Sequence, residues 1–346
     1  MSMARVAVLM SGGVDSAFAA LHLKRQGHLV EGFTGVFHDE GPVASSDDAA
    51  SAYEVCRALR IPHASIDLRS DFKRCVVDSF VEAYTAGRTP NPCAWCNRDI
   101  KLGKLARLVL DRGSEFVATG HYARQAVVQG RKTLCRALDR RRSQVYFLAI
   151  IDPGILPHLI LPAGDFKKEE VRRAVRNAGL PTHDRESQDL CFMGGRTYHT
   201  LLHLRGRDGE PGRVLDSKGN VVGTHRGHTA YTPGQRFGLR GRRLYVLEKR
   251  PGTNIIVIGE RQEAFKTQIT ATVVSHFLPL VGNVSSRLCI RYRYNSPPVG
   301  ARILETGSES VTVSTDEPCF APARGQILAG FRDECLVFGG VILSAE

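Results

Sequence analysis

One glycine loop and three cysteines carry the residue types that chemistry needs. "SGGVDS" (Ser11 to Ser16) follows the apolar run "RVAVLM". Glycines let backbone amides approach an oxyanion closely, and a helix N-terminus behind them adds partial positive charge. The Gly-Lys-Ser/Thr ending of a Walker A loop is missing, and with it the lysine that reaches the β and γ phosphates. By composition the segment is either an anion-holding loop or an ordinary strand-to-helix turn. The thiols stand in two places: Cys93 and Cys96 in "GRTPNPCAWCNRDIKLGKL", and Cys191 in "ESQDLCFMGG". Both read as polar loops with proline or glycine close by, the setting in which thiols react rather than fill a core. Cys56, Cys75, Cys135, Cys289, Cys319 and Cys335 are read as structural, and all nine cysteines as reduced at rest.

The hexapeptide resembles the PP-loop of the N-type ATP pyrophosphatases. These enzymes grip the pyrophosphate part of ATP and activate a substrate oxygen by adenylation. The resemblance implies ATP and Mg²⁺ as cofactors, with Leu9, Met10, Ser11, Gly12, Gly13, Val14, Asp15 and Ser16 around the nucleotide. Ser11 and Ser16 would donate to phosphate, and Asp15 would help to hold Mg²⁺. The loop does not choose among its relatives, which include GMP, NAD and asparagine synthetases as well as tRNA-modifying enzymes.

The two cysteine stretches choose. Together with "TGHYAR", "GDFKKEEVRRAVRNAGLPT", "YTPGQRFGL", "RYRY" and a late "GQ", they are similar to the tRNA-specific 2-thiouridylases, in order and nearly end to end. The resemblance implies ATP-dependent 2-thiolation of the wobble uridine (U34) of tRNA, through adenylation of the uracil C2 oxygen and sulfur from a cysteine persulfide. Cys191 would bear the persulfide and Cys96 would be its partner nucleophile, both as low-pKa thiolates, ending in a Cys96–Cys191 disulfide. Gly35 and Gly120 would touch ATP, Gly35 through backbone alone because the family usually has Met there. Asn91, Pro92 and Cys93 would line the pocket for the flipped base. His121, Arg142, Ser143, Gln144, Arg291, Tyr292 and Gln326 would meet the tRNA, with Ser143 replacing the usual acid. The implied partners are tRNA, of the Lys, Glu and Gln isoacceptors, and a persulfide donor, either a cysteine desulfurase or a relay protein.

Cys93 departs from the family, many of whose members have Asp there. The set Cys93, Cys96 and Cys191 is compatible with three-iron ligation of a [4Fe–4S] cluster. It is also compatible with zinc if a fourth ligand joins, and with Cys93 as a spectator thiol beside the base. A cluster would exclude the simple persulfide roles, because the same thiolates would be metal-bound.

Strands separated by helical crossovers must position these residues. "RVAVLM", "HLVEGFTGVF", "PHASIDL" and "EFVATG" read as strands, and Asp15 to Gln26, Ser46 to Leu59, Asp71 to Ala86 and Ile100 to Leu110 as helices, the second capped by Ser46 or Asp47. The alternation predicts a doubly wound parallel sheet, which binds ligands beyond the carboxyl ends of its strands. "SGGVDS", "FTGVF" and "ATGHYAR" all fall there. After about Gly194 helical periodicity gives way to short alternating segments. The expected fold class is α/β: a PP-loop domain over 1–194, a small β-rich central domain over 195–264 and a C-terminal β-barrel over 265–346.

The formal net charge of +12 argues for a polyanionic partner. No apolar run approaches the ~18 residues a membrane helix needs, and no signal-peptide layout opens the chain, so a cytoplasmic location without a membrane partner is expected. Three other functions compete: another PP-loop tRNA thiolase, a PP-loop amide-forming ligase, and a basic RNA-binding module with a degenerate ATP site. The ligase has no use for Cys96 and Cys191; an intact loop with Asp15 and Ser16 weighs against the module.

Overall fold

The structure, a computed structural model, describes residues 3–38, 45–182, 190–194, 196–239, 241–280 and 287–346. Strand β1 (Arg5–Leu9) leads into helix α1 (Val14–Arg25), β2 (Leu29–Val36), α2 (Ser45–Leu59) and β3 (His63–Asp67). A bent helical run follows: α3 (Arg69–Phe72), a π-helical turn over Lys73–Asp78, and α4 (Ser79–Thr85). Next come α5 (Pro92–Trp95), a second π-helical stretch over Cys96–Leu105, and α6 (Ala106–Asp111). β4 (Phe116–Ala118), a hairpin of β5 (Ala123–Val128) and β6 (Arg131–Arg136), β7 (Leu159–Ile160) and α7 (Lys168–Asn177) complete the N-terminal half.

Strands β3, β2, β1, β4 and β7 form one sheet in that order, all parallel. β1 lies at its centre, and Val6, Ala7 and Val8 are buried, as the unbroken apolar run requires of a strand covered on both faces. Because β1 and β4 are neighbours, the loops that leave their carboxyl ends, Ser11–Gly13 and Thr119–His121, are brought side by side.

Helix α8 (Tyr198–Leu204) leads to a second sheet of β8 (Gly212–Leu215), β9 (Val221–His225), β10 (Arg236–Leu239), β11 (Arg242–Arg250) and β12 (Ile255–Gly259). β13 (Phe265–His276), β14 (Arg287–Arg291), β15 (Val299–Thr306), β16 (Ser310–Phe320), β17 (Ile327–Arg332) and β18 (Cys335–Ala345) then close into an antiparallel barrel through β13–β18 pairing. The β5–β6 hairpin, turned by Gln129 and Gly130 at positive φ, docks on β18 and extends the barrel sheet into the N-terminal half. One hydrophobic core is shared across this seam: Tyr146, Leu148 and Ile150 pack with Phe277, Ile327, Phe331 and Leu336.

Three local expectations change. α2 begins at Ser45, so Ser46 and Asp47 lie inside its first turn rather than capping it; the side chain of Ser46 is outside the described residues. The stretch around Cys93 and Cys96 is helix, not loop. Asn91 Oδ1 accepts from the Ala94 amide at 3.1 Å and Pro92 occupies the first turn, a cap-and-proline start that overrides the polar, proline-rich composition. Cys135 and Cys335 are not free thiols but a disulfide, because β6 and β18 pair in a register that sets these two residues opposite each other.

Candidate active site

The glycine loop is shaped by what it touches. Gly12 has φ +71°, and a Cβ there would run into Ser51 of α2. Ser16 Oγ accepts from the Ser11 amide at 3.2 Å and donates to Gly13 O at 3.0 Å, closing the loop on itself. Gly13 caps α1 with no side-chain bond to the first turn, which leaves first-turn amides for an anion. Gly120 presses on the same turn: a Cβ there would stand 2.6 Å from Asp15 C and 2.8 Å from Ser16 N. Only glycine allows the β4 loop to sit so close to the start of α1.

Asp15 is held from two sides. Lys168 Nζ bonds its carboxylate oxygens at 2.7 and 2.8 Å, and Tyr122 OH donates at 2.8 Å. Lys168 and Tyr122 lie in the stretches "GDFKKEEVRRAVRNAGLPT" and "TGHYAR", but 153 and 107 residues away, so the sequence does not pair them with Asp15. One carboxylate beside phosphate-holding amides suits Mg²⁺, which keeps water and substrate phosphates as its other ligands.

Gly35 near the end of β2 has no open space beside it. A Cβ there would lie 2.5 Å from the Phe37 ring, and Phe37 in turn stacks on Phe72 at 5.5 Å. Leu9 and Met10 end β1, with the Met10 amide donating to Phe33 O at 2.7 Å, and Val14 is buried in the α1 core.

Cys93 and Cys191 are exposed, whereas Cys96 is buried. The three thiols lie within electrostatic reach of Lys101, and Lys101 also acts on His121. Cys96 and Lys101 are five residues apart in the π-helical stretch, whose i→i+5 bonding (Ala106 amide to Lys101 O) stacks them one turn apart. That spacing is visible in "CNRDIK", although a regular α-helix would send the two to different faces.

The expected low-pKa thiolates are not what this environment makes. Burial pushes Cys96 up to about 12 and Cys191 up to about 11, against the opposing pull of Lys101. Cys191 is open to solvent on one side, yet the protein packed around its sulfur desolvates the charged form. His121 is pushed down to about 3 by burial and by Lys101, and its Nδ1 pairs with Thr119 Oγ1 at 2.9 Å. Among the described residues no three His, Cys, Asp or Glu side chains gather as a metal-holding group. Cys93, Cys96 and Cys191 do lie within electrostatic reach of one another, and burial, which raises all three, works against the thiolates that a cluster would need. Asp189 and Gly195 lie outside the described residues.

The expected tRNA contacts divide into surface and support. Arg142 is exposed and Arg291 half-buried. Ser143 is buried, and its hydroxyl accepts from the Ala137 amide. Gln144 is tied to the backbone of Tyr122 by two bonds, 2.8 and 2.9 Å. Tyr292 is 6% exposed inside the barrel core, and its OH accepts from the Phe320 amide. Arg291 is the last residue of β14, and Tyr292, just past the strand, is turned into the barrel core and away from any ligand that Arg291 meets. Gln326 donates from Nε2 to Thr89 O at 2.9 Å, clasping the "TPNPC" stretch to the barrel. Asn91 and Pro92 are buried at that junction, with Cys93 projecting beyond them.

Three family models match in succession: a tRNA methyl transferase HUP domain over residues 4–195, a tRNA methyl transferase PRC-barrel domain over 201–260 and an aminomethyltransferase beta-barrel domain over 266–342. The tRNA-specific 2-thiouridylase MnmA of Desulforudis audaxviator is 39% identical over 350 residues, covering 99% of both chains. That of Carboxydothermus hydrogenoformans is 37% identical over 356 residues, covering 98% of this chain and 97% of its own.

Proposed function

Because the chain belongs to the tRNA-specific 2-thiouridylase family along its whole length, and is an enzyme of that activity, we propose that it thiolates U34 through an adenylated uridine and a persulfide on Cys191. One observation carries this reading: Gly120 is seated on the first turn behind the glycine loop, and His121 beside it is within electrostatic reach of Lys101, as all three thiols are. Nucleotide chemistry and sulfur chemistry thus meet over one sheet edge.

The Ser11–Ser16 loop, with Leu9, Met10 and the backbone of Gly35 and Gly120, holds ATP. Lys168 and Tyr122 keep the Asp15 carboxylate aimed at the pyrophosphate. Mg²⁺, held by Asp15 and the phosphates, supplies charge neutralisation at the leaving group. The uracil O2 attacks the α-phosphorus and pyrophosphate leaves. The outer sulfur of the Cys191 persulfide then attacks C2, the C2–O2 bond breaks, and AMP departs with the oxygen. Cys96, as thiolate, attacks Sγ of Cys191. The sulfur–sulfur bond breaks, and its electron pair stays on the sulfur now bonded to C2. An external thiol reopens the Cys96–Cys191 disulfide. No step passes through an iron–sulfur cluster.

Cys93, at the exposed end of the Asn91–Pro92 cap, borders the flipped base. Arg142 and Arg291 take phosphates, while Ser143, Gln144, Tyr292 and Gln326 support the surfaces that present them. The tRNAs are the Lys, Glu and Gln isoacceptors, and sulfur comes from a cysteine desulfurase or a relay protein. Asp15→Ala tests the nucleotide half: it abolishes pyrophosphate release in the presence of bulk tRNA while tRNA binding stays largely intact. Near-normal release by this variant refutes the assignment of the loop.

A further inference from the structure

Cys191 opens a short 3-10 turn, Cys191–Met193, whose other side chains are anchored. Met193 is buried. The Phe192 ring meets Phe72 edge-on at 5.9 Å and Phe80 edge-on at 5.6 Å. Leu190, on the other flank, joins Phe192 against Phe80, Val81, Tyr84 and Leu202. The turn ends at Gly194, whose φ of 58° favours glycine. Cys191 is thus the exposed tip of a turn fixed through its neighbours.

The second partner of Phe72 gives this anchor a direction. Phe72 stacks on Phe37 at 5.5 Å, and Phe37 fills the space beside Gly35. The rings of Phe37, Phe72 and Phe192 therefore run from the end of β2, where Gly35 is proposed to touch ATP, to the residue next to the sulfur carrier. We propose that Phe192 is a positioning residue for sulfur transfer: its ring, clamped between Phe72 and Phe80, sets the place of Cys191 relative to the nucleotide end of the site. The proposal rests on the reading of Cys191 as the persulfide carrier. Attack at C2 needs the sulfur within about an ångström of its productive place, and a misplacement of that size costs up to about 100-fold in rate. Releasing the clamp costs transfer and leaves the ATP loop alone, because the loop is built by α1, α2 and the Gly120 turn.

The test uses full-length protein loaded with ³⁵S by a cysteine desulfurase, then given ATP and bulk tRNA. Three quantities are read: label on the Cys191 peptide, pyrophosphate release, and the single-turnover rate of 2-thiouridine formation. Phe192→Ala loads label and releases pyrophosphate like wild type, but transfers sulfur roughly 10- to 100-fold more slowly. Phe192→Met, which refills the space between the two rings with a flexible apolar chain, recovers part of the rate. Should the alanine variant fold poorly, the methionine variant carries the same split between release and transfer. Wild-type transfer by Phe192→Ala overturns the proposal, as does an equal loss of release and transfer in both variants. A wild-type protein whose label never resides on Cys191 instead refutes the carrier reading, and the proposal falls with it.

Discussion

Cys191 must lose a proton that its surroundings make it keep. With its thiol pushed up to about 11 by burial, the thiolate fraction in the substrate-free protein rises about tenfold per pH unit through the neutral range and beyond. The rate of iodoacetamide alkylation at Cys191, followed by peptide mass spectrometry, is therefore expected to climb steadily from pH 7 to 10. A rate that levels off below pH 9 would show that Lys101 outweighs burial. Cys93 is the other decisive residue. Cys93→Ala is expected to form 2-thiouridine without iron, because the persulfide relay uses only Cys191 and Cys96. A colourless, inactive variant beside a brown, active wild type would sink the persulfide relay. Single residues also show where reading stops. Cys96 and Cys191 are legible because they stand in motifs of recognisable type. Lys168 stands in such a stretch too, but its pairing with Asp15 is not legible, because the two are set opposite only after the sheet has formed. The Cys135–Cys335 bond, across a separation of 200 residues, is hidden for the same reason.

Among the elements, the meeting of the β4 loop with the first turn of α1 is the joint on which the nucleotide site depends. Gly120→Ala places a methyl group 2.6 Å from Asp15 C, so the turn must move. We expect at least a tenfold loss of pyrophosphate release, an effect of about 1.4 kcal/mol or more on the barrier, with tRNA affinity held within twofold. A variant with normal release would show that the loop tolerates displacement. The strands of the first sheet were readable because apolar runs of the right length alternate with helical periodicity. The helical start at Pro92 was equally written, as Asn-Pro ahead of a periodic segment. Its polar neighbours mask that signal, and the stretch reads as a loop. The β5–β6 hairpin left only a Gln-Gly turn as its trace, since its strands alternate weakly and are stabilised by pairing with β18.

Across the whole molecule, charge governs the encounter with tRNA. A net +12 implies affinity that falls steeply with salt as counterions are released. Replacing Arg140, Arg141 and Arg142 by Glu should flatten that slope, measured by filter binding across a salt series. Arg140 is paired with Glu334, so its reversal also sets two carboxylates together at that point. An unchanged slope would move the tRNA surface elsewhere. The three-part architecture was foreseeable from the shift in texture near Gly194. The shared core was not, because nothing in a run such as "YFLAII" says that its partners are Phe331 and Leu336.

A ribosome makes this chain in an order that the shared core does not respect. Tyr146 and its neighbours leave the exit tunnel well before Phe277, Ile327, Phe331 and Leu336 exist to cover them. The outer edge of β6 likewise waits for β18, among the last strands to be made. A nascent catalytic half is thus a body with an apolar flank and an open strand edge, the two features that holding chaperones bind and that drive premature association. Synthesis of the barrel closes both at once, so the half that carries the glycine loop and the paired cysteines is sealed only when the last strands of the same polypeptide are in hand.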